Sequence, residues 1–319
     1  MSDPGVPQRF LDLVRRSRPR PDLAERGIVE RLGPSEDAVL EAGQVWRARW
    51  ERTVVLLLVT EVGDLAVQAA PLTVDPPAED SESVVVDSAL TALGVEVTVW
   101  LGLVSEVPLR VLERQVDSWS EDLISRVSAA ARSPEDHATG DVRAGRAIED
   151  DHAPDALVRA ELADELDTLR EVPGLPVETS DVNYRPLASL LGSKIDLKAL
   201  REALRLPQPD VMQIVRGKFP LTPELVEKIS RATGLTTAVV ARSTKPLPLG
   251  LVVLVEHPRW RPVLAKRAKA LDVDEMSGRL SAGYGTFALA TRETGGGEPD
   301  WEGRLRAFLL SETSGAEHR

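Results

Sequence analysis

The sequence predicts a multi-domain α+β protein, in which a small N-terminal β-barrel is followed by all-α regions. Three observations support this prediction. The chain has 319 residues, which exceeds the length at which a single hydrophobic core usually stops growing. Short β-branched runs lie between residues 43 and 116, whereas helical periodicity dominates before and after them. Charge is also unevenly divided along the chain, which indicates segments with different roles.

Composition changes and proline-rich stretches divide the chain into five predicted segments. The first carries apolar residues at helical spacing within residues 8–32, with Pro19 and Pro21 between two short helices. The third contains a stretch almost free of large apolar residues, which predicts a flexible linker. The segments are N-terminal helices (1–40), a β-barrel (41–118), an acidic helical linker (119–182), three closely spaced helices (183–245) and a C-terminal helical domain (246–319).

The net charge of −12 conceals a strong difference between segments. Residues 1–182 hold 18 basic and 36 acidic residues, whereas residues 183–245 hold 11 basic and 5 acidic ones. Residues 246–319 are balanced, with 10 of each. A positive surplus on one small segment attracts phosphates, and an acidic segment attracts basic partners. The charge pattern therefore points to residues 183–245 as the part that would meet a polyanion.

Several kinds of chemistry are not predicted. The chain has no cysteine, which excludes a disulfide framework, a Cys-based zinc site and a thiol nucleophile. The four histidines are scattered, and neither an H-E-x-x-H motif nor a phosphate-binding loop occurs. We therefore expect no metal and no cofactor. No apolar run approaches the ~18 residues of a membrane span, so we expect a cytoplasmic protein without membrane contact.

Residues 197–235 predict three short helices separated by tight turns. Apolar residues recur at helical spacing, Pro207 suits the start of the second helix, and Gly217 and Gly234 suit the ends of the second and third. This segment resembles the Xre/Cro-repressor helix-turn-helix family over residues 183–242. The residues that carry the resemblance are Leu200, Ala203, Leu204, Gln208, Val211, Ile214, Arg216, Gly217, Leu225, Ile229, Gly234 and Leu235.

The resemblance implies that the second helix enters the major groove of double-stranded DNA. Glutamine can pair with adenine, aspartate can accept a hydrogen bond from cytosine, and arginine or lysine can hold phosphate. By position, the DNA-binding candidates are Gln208, Pro209, Asp210, Met212 and Gln213 on the outer face, with Arg216 and Lys218 at its end. Because paired half-sites require paired recognition helices, we expect a homodimer. A protein-docking bundle that touches no DNA stays open as an alternative.

Residues 42–118 contain a second ordered set of motifs: Gly43-Gln44-Val45-Trp46, Arg52 before an apolar run, Pro71-Leu72-Thr73, and Arg110 after residues 103–108. Together they resemble the MazF/PemK fold, an SH3-like barrel whose members are commonly ribonuclease toxins. The resemblance implies that Arg52 would stabilise charge on the scissile phosphate and that Thr73 would position the attacking 2′-oxygen. Glu51 beside Arg52, together with the overall acidity of this half, favours a non-catalytic barrel.

The sequence as a whole therefore predicts a sequence-specific DNA-binding transcriptional regulator, located in the cytoplasm and on the nucleoid. The non-catalytic barrel would dimerise or bind a partner, and the acidic N-terminal half would bind a basic protein or mask the basic helices. The basic residues after residue 257 favour packing or dimerisation over an extended DNA footprint. One alternative is an endoribonuclease toxin of a toxin-antitoxin pair with a fused autoregulatory DNA-binding domain, cutting RNA through Arg52 and Thr73. Another is a protein-interaction scaffold.

Overall fold

A computed structural model describes residues 39–74, 78–148, 150, 153–178, 184–192, 196–290 and 299–316. Within these residues an antiparallel sheet comes first and a series of helices follows, which is an α+β arrangement. The two helices predicted within residues 8–32 lie outside the described residues.

Eight strands form one antiparallel sheet, in the order β7-β1-β2-β3-β5-β4-β8, and β6 pairs with the first half of β3. The alternating β-branched runs form these strands because such side chains pack well on a pleated surface. The strands are β1 (Gln44–Trp50), β2 (Thr53–Val62), β3 (Ala66–Val74), β4 (Ser83–Val86), β5 (Val97–Trp100), β6 (Ser105–Pro108), β7 (Leu112–Ser118) and β8 (Val142–Ala144).

The predicted SH3-like barrel is wrong, because the sheet is not closed. β7 and β8 stand at the two ends of the strand order, and no pairing among the described residues joins them. The central strands are also buried on both faces: Leu57 and Leu58 are 0% and 2% exposed. In a small closed barrel, by contrast, the buried face of each strand is chiefly the one that points into the barrel. The strand runs between residues 43 and 118 were correctly recognised, whereas β8 lies in the stretch predicted as a flexible linker. Closure depends on pairing between edges that are distant in sequence.

A helix covers each face of the sheet. Helix α1 (Glu121–Arg132) begins where the Ser120 hydroxyl accepts a hydrogen bond from the Leu123 amide at 3.2 Å, and it buries Leu123, Val127 and Ala130 on one face. Helix α2 (Pro154–Arg170) packs on the other face. Its buried residues are Leu162, Leu166 and Leu169, at the spacing of one helix face. The sheet therefore has two hydrophobic layers.

The segment predicted as an acidic helical linker (119–182), with a flexible stretch between its helices, is joined to the sheet at several points. It supplies α1, α2 and strand β8, which pairs with β4. The buried Glu79 carboxylate pairs with Arg143 of β8 and accepts a hydrogen bond from Arg146 Nε at 2.6 Å. The neighbouring Asp80 accepts from Arg159 of α2 at 2.9 Å. In these ion pairs the arginines belong to the predicted linker and the carboxylates belong to the segment before it, so the linker is attached to the sheet through its basic residues.

Five short α-helices follow among the described residues and enclose one apolar cluster. They are α3 (Leu187–Leu191), α4 (Leu197–Leu204), α5 (Gln208–Val215), α6 (Pro223–Thr233) and α7 (Thr237–Ala241). Each helix contributes to the cluster, whose buried members are Leu187, Leu200, Leu204, Val211, Ile214, Val215, Val226, Ile229 and Val240. The three helices predicted from apolar spacing are α4, α5 and α6.

Four helices end the chain: α8 (Leu249–Glu256), α9 (Arg261–Ala270), α10 (Glu275–Ala290) and α11 (Trp301–Ala316). They share a core that also includes Leu175, from the proline-rich stretch after α2. That stretch was predicted as a boundary, yet Val177 forms a parallel bridge with Leu247. No helix among the described residues is long and apolar enough to cross a membrane.

Candidate nucleic-acid interface

Three residues define the two ends of α4 and the start of α5. Asp196 starts α4 by accepting hydrogen bonds from the Lys198 and Ala199 amides at 3.0 and 2.9 Å. Arg205 ends it in the left-handed conformation, with φ at 54°. Pro207 then stands immediately before α5, where a fixed φ suits a helix start and no amide hydrogen is needed. A short turn, residues 205–207, thus joins α4 to α5.

The end of α5 is held by backbone hydrogen bonds around Gly217. The Gly217 amide donates to the Ile214 carbonyl and the Lys218 amide donates to the Gln213 carbonyl, both at 2.8 Å. With Gly217 at φ +66°, these bonds form a Schellman motif. The Tyr184 hydroxyl also donates to the Arg216 carbonyl at 2.9 Å. The carbonyls that a helix leaves unpaired at its end are therefore partly satisfied.

One face of α5 is directed away from the protein. Its buried residues are Val211, Ile214 and Val215. Successive residues are rotated by about 100° around a helix axis, so positions 209, 212, 213 and 216 share the opposite face, and positions 208 and 210 lie at its two margins. Gln208, Pro209, Gln213 and Arg216 are exposed, and Met212 is partly buried.

Asp210 lies at the margin of that face. Its helical position falls between those of Gln213 and the buried Ile214, and its side chain is partly buried. It also belongs to the first turn of α5, where a carboxylate interacts favourably with the positive end of the helix dipole. Asp210 therefore stabilises the start of α5 whether or not it also contacts a base.

Two basic side chains of α4 border the outer face of α5. A groove of about 330 Å³ between the helices is lined by Lys198 and Arg201 from α4 and by Gln208, Val211 and Met212 from α5, with Leu197 at its edge. Among the predicted site residues, Gln208 and Met212 are brought together here. Lys198 and Arg201 were not predicted, although their i, i+3 spacing beside the buried Leu200 and Leu204 marks one face of α4.

Several basic residues around this surface have no acidic partner, because the acids of α6 pair within their own helix. Glu224 pairs with Lys228 at 2.6 Å, and Glu227 pairs with Arg231 at 3.0 Å, so the acids of α6 are neutralised within their own helix. Within the described part of the chain, Lys198, Arg201, Arg205, Arg216 and Lys218 form no ion pair. These five basic side chains lie on α4, in the turn after it and at the end of α5.

The residues predicted for phosphate chemistry, Arg52 and Thr73, are not brought together. Arg52 is exposed in the two-residue turn between Trp50 and Thr53, which pair as the last residues of the β1–β2 hairpin. Thr73 follows Leu72, whose partner Leu56 lies four residues beyond Arg52, or about 13 Å along an extended strand. The Thr73 hydroxyl also accepts a hydrogen bond from Trp100 Nε1 at 2.9 Å. The Thr73 hydroxyl therefore takes part in a hydrogen bond within the fold.

A series of hydrogen bonds connects the C-terminal helices to the end of α5. The Tyr284 hydroxyl of α10 donates to the Lys245 carbonyl at 2.7 Å. The Lys245 amide donates to the Gly217 carbonyl at 2.8 Å. Burial raises the pKa of the Tyr284 phenol above its ordinary value, so this donor stays protonated. Tyr184 and Tyr284, which are 100 residues apart, therefore both help to hold the end of α5. No pattern in the sequence indicated this arrangement.

Comparison with models of known protein families gives no match, and comparison with curated proteins gives none either. The functional argument therefore depends on the geometry and charge of the residues described above.

Proposed function

We propose that the protein is a sequence-specific DNA-binding transcriptional regulator that reads the major groove with α5. The observation that carries this proposal is the combination of an exposed polar face on α5 with unpaired basic side chains on α4 and at the α5 end. Gln208 and Gln213 would contact base edges, and Met212 would supply an apolar contact. Lys198, Arg201, Arg216 and Lys218 would contact phosphates, which fix orientation without reading sequence.

The same proposal includes a homodimer. A single short recognition helix contacts few base pairs, and dimeric helix-turn-helix proteins gain affinity and length of site by pairing two of them. The sheet and the C-terminal helices would supply the two-fold contact or bind a basic protein partner. The regulator would then act in the cytoplasm and on the nucleoid.

The test begins with genomic fragments recovered by immunoprecipitation of the full-length protein and sequenced. Binding to a recovered fragment is then measured by gel retardation for Gln213→Ala and Arg216→Ala. We expect Gln213→Ala to weaken binding by about 1–3 kcal/mol and to relax the preference at one base position, because its contact is with a base edge. We expect Arg216→Ala to weaken binding to all sequences and to reduce the salt slope by about one.

Arg132→Ala is the matched control, since it removes one exposed charge from the end of α1, on another part of the molecule. It should retard DNA like the wild type. Wild type that enriches no genomic fragment, or a Gln213→Ala, Arg216→Ala double variant that binds as tightly as wild type, would refute the proposal.

A further inference from the structure

A cleft of about 1030 Å³ lies where the sheet, the helix-turn-helix and the C-terminal helices meet. Strands β1 and β7 form one wall, the start of α6 forms another, and α9 with the start of α10 forms the third. Apolar surface is provided by Trp50, Pro173, Pro223, Pro262 and Met276. Its volume is at the upper end of the range found for small-molecule sites. No motif in the sequence indicated this cleft, because its walls are far apart along the chain.

Three arginines of the sheet converge on the cleft. Arg47 and Arg114 stand directly opposite each other on β1 and β7, and Arg49 lies two residues further along β1. Glu113 is shared by Arg47 and Arg49, at 3.2 Å from each. Arg114 forms no ion pair with any described residue. Like charges placed opposite each other on neighbouring strands are destabilising, so this arrangement favours a further anion.

The other acidic groups of the cleft are already engaged. Glu275 pairs with Arg261 and with Arg279, each at 2.9 Å. Asp274 accepts hydrogen bonds from the Ser277 amide and hydroxyl at 2.8 and 2.6 Å. Glu224 pairs with Lys228. Among the acids that line the cleft, Glu113 neutralises one of the three charges on Arg47, Arg49 and Arg114. Glu51 lies in the exposed hairpin turn, and Glu224 and Glu275 are paired with other basic residues.

We propose that this cleft binds a small phosphate-bearing anion through Arg47, Arg49 and Arg114. A guanidinium group matches two oxygens of a phosphate and stays charged at all physiological pH values. Three of them on adjacent strands can contact a diphosphate or a phosphate ester from one side. The apolar wall that includes Trp50 accommodates whatever group carries the phosphate.

The position of the cleft also gives the ligand a route to the DNA-binding helix, and this part depends on the proposed function. The cleft is lined by Thr222, Pro223 and Glu224 at the start of α6, which packs in the same core as α5. It is also lined by Glu275, Met276 and Ser277 at the start of α10. Through Tyr284, α10 is hydrogen-bonded to the Lys245 segment and so to the end of α5. Occupancy of the cleft would therefore alter DNA affinity.

The test is isothermal titration of the full-length protein with inorganic pyrophosphate, in chloride buffer of matched ionic strength. We expect saturable binding to the wild type and binding weakened by about tenfold or more in Arg114→Gln and in Arg47→Gln, since each loses a charge-assisted contact. Arg132→Gln, with the same change of charge outside the cleft, should bind like the wild type. Circular dichroism of each variant establishes that it is folded, and Arg49→Gln replaces any variant that is not.

Absence of saturable binding up to about 10 mM pyrophosphate, or equal binding by wild type and the cleft variants, would overturn the proposal. Variants that bind pyrophosphate normally but retard DNA less would assign the arginines to the DNA footprint and would also overturn it. Arginine-dependent pyrophosphate binding by a protein that retards no DNA would leave the site established, while the proposed function and the coupling to DNA would fail.

Discussion

Position 217 imposes two constraints that only glycine satisfies. Its φ of +66° lies in the left-handed region, which costs a residue with a side chain about 1–2 kcal/mol. A Cβ at this position would also stand 2.5 Å from the Ser243 carbonyl oxygen and would overlap the Tyr184 hydroxyl. Gly234, which ends α6 at φ +73°, has the first constraint without the second, because nothing lies within 4 Å of the position of its Cβ.

These two glycines make a matched pair for a stability measurement. We expect Gly234→Ala to lower the free energy of unfolding by about 1 kcal/mol, through backbone conformation alone. We expect Gly217→Ala to lower it by more than about 2 kcal/mol, because the Ser243 backbone must move and the Tyr184 hydrogen bond is disturbed. Urea denaturation of both variants measures the difference. Equal losses would mean that the contacts around Gly217 relax without cost.

At the scale of an element, β8 is the strand whose attachment depends most visibly on charge. It has three residues, and the buried Glu79 pairs with Arg143 at its centre. Burial by itself would raise the pKa of the Glu79 carboxyl, but hydrogen bonds and attraction from Arg143 and Arg146 outweigh burial and hold that pKa below its ordinary value. The ionised carboxylate therefore stabilises the folded strand.

The sign of this pKa shift predicts how the attachment of β8 responds to acid. The stabilisation is complete above the ordinary glutamate pKa near 4.5 and is lost as the pH falls through the lowered folded value. We expect Glu79→Gln to reduce the hydrogen-exchange protection of the Gly145 amide, which donates to Ser83, by about tenfold or more at pH 7. The difference between variant and wild type should shrink toward pH 3. Equal protection at pH 7 would show that strand pairing alone holds β8.

At the scale of the whole molecule, buried ionic groups join the sheet to the C-terminal helices. Glu256 of α8 is fully buried, pairs with Arg110 at 3.2 Å and accepts a hydrogen bond from the Leu175 amide at 3.1 Å. Arg279 of α10 is also fully buried and donates to the Val255 and Arg110 carbonyls. Arg261 of α9 lies over the Trp50 ring at 5.9 Å from its centroid. The sheet and these helices are therefore bound by one shared network.

This network predicts a large effect of a single change far from the helix-turn-helix. Glu256→Gln leaves Arg110 as an uncompensated buried charge, and we expect a loss of about 3 kcal/mol or more in the free energy of unfolding. Urea denaturation followed by tryptophan fluorescence measures it. Glu227→Gln, which removes an exposed pair within α6, is the control and should leave the midpoint almost unchanged. A midpoint in Glu256→Gln like that of the control would show that the network contributes little.

The helices of the candidate site were predictable because their determinants are local. Leu200 and Leu204, like Val211 and Ile214, repeat at helical spacing, and Gly217 and Gly234 end their helices through contacts within a few residues. The site residues of α5 could be chosen from the sequence for the same reason. Lys198 and Arg201 were missed because their relevance depends on how α4 crosses α5.

Most of what surrounds those helices could not be predicted. Glu79 and Arg143 are 64 residues apart, and the stretch that contains Arg143 has the composition of a linker. Arg47 and Arg114 become neighbours only through the register of β1 on β7. Arg52 and Thr73, the catalytic candidates of the nuclease alternative, are separated because the hairpin turn lies beyond the end of the β2–β3 pairing. Each of these facts depends on contacts between distant residues.

The sequence by itself determined the strand runs within residues 43–118, the ends of the helices and the surplus of basic over acidic residues in 183–245, since these follow from spacing, turn chemistry and composition. Only the tertiary structure decided that the sheet is open and covered on both faces, that basic side chains of α4 border α5, and that three arginines meet in a cleft between three parts of the chain. Local patterns act over a few residues. Closure, register and convergence are decided by the packing of segments that the sequence separates.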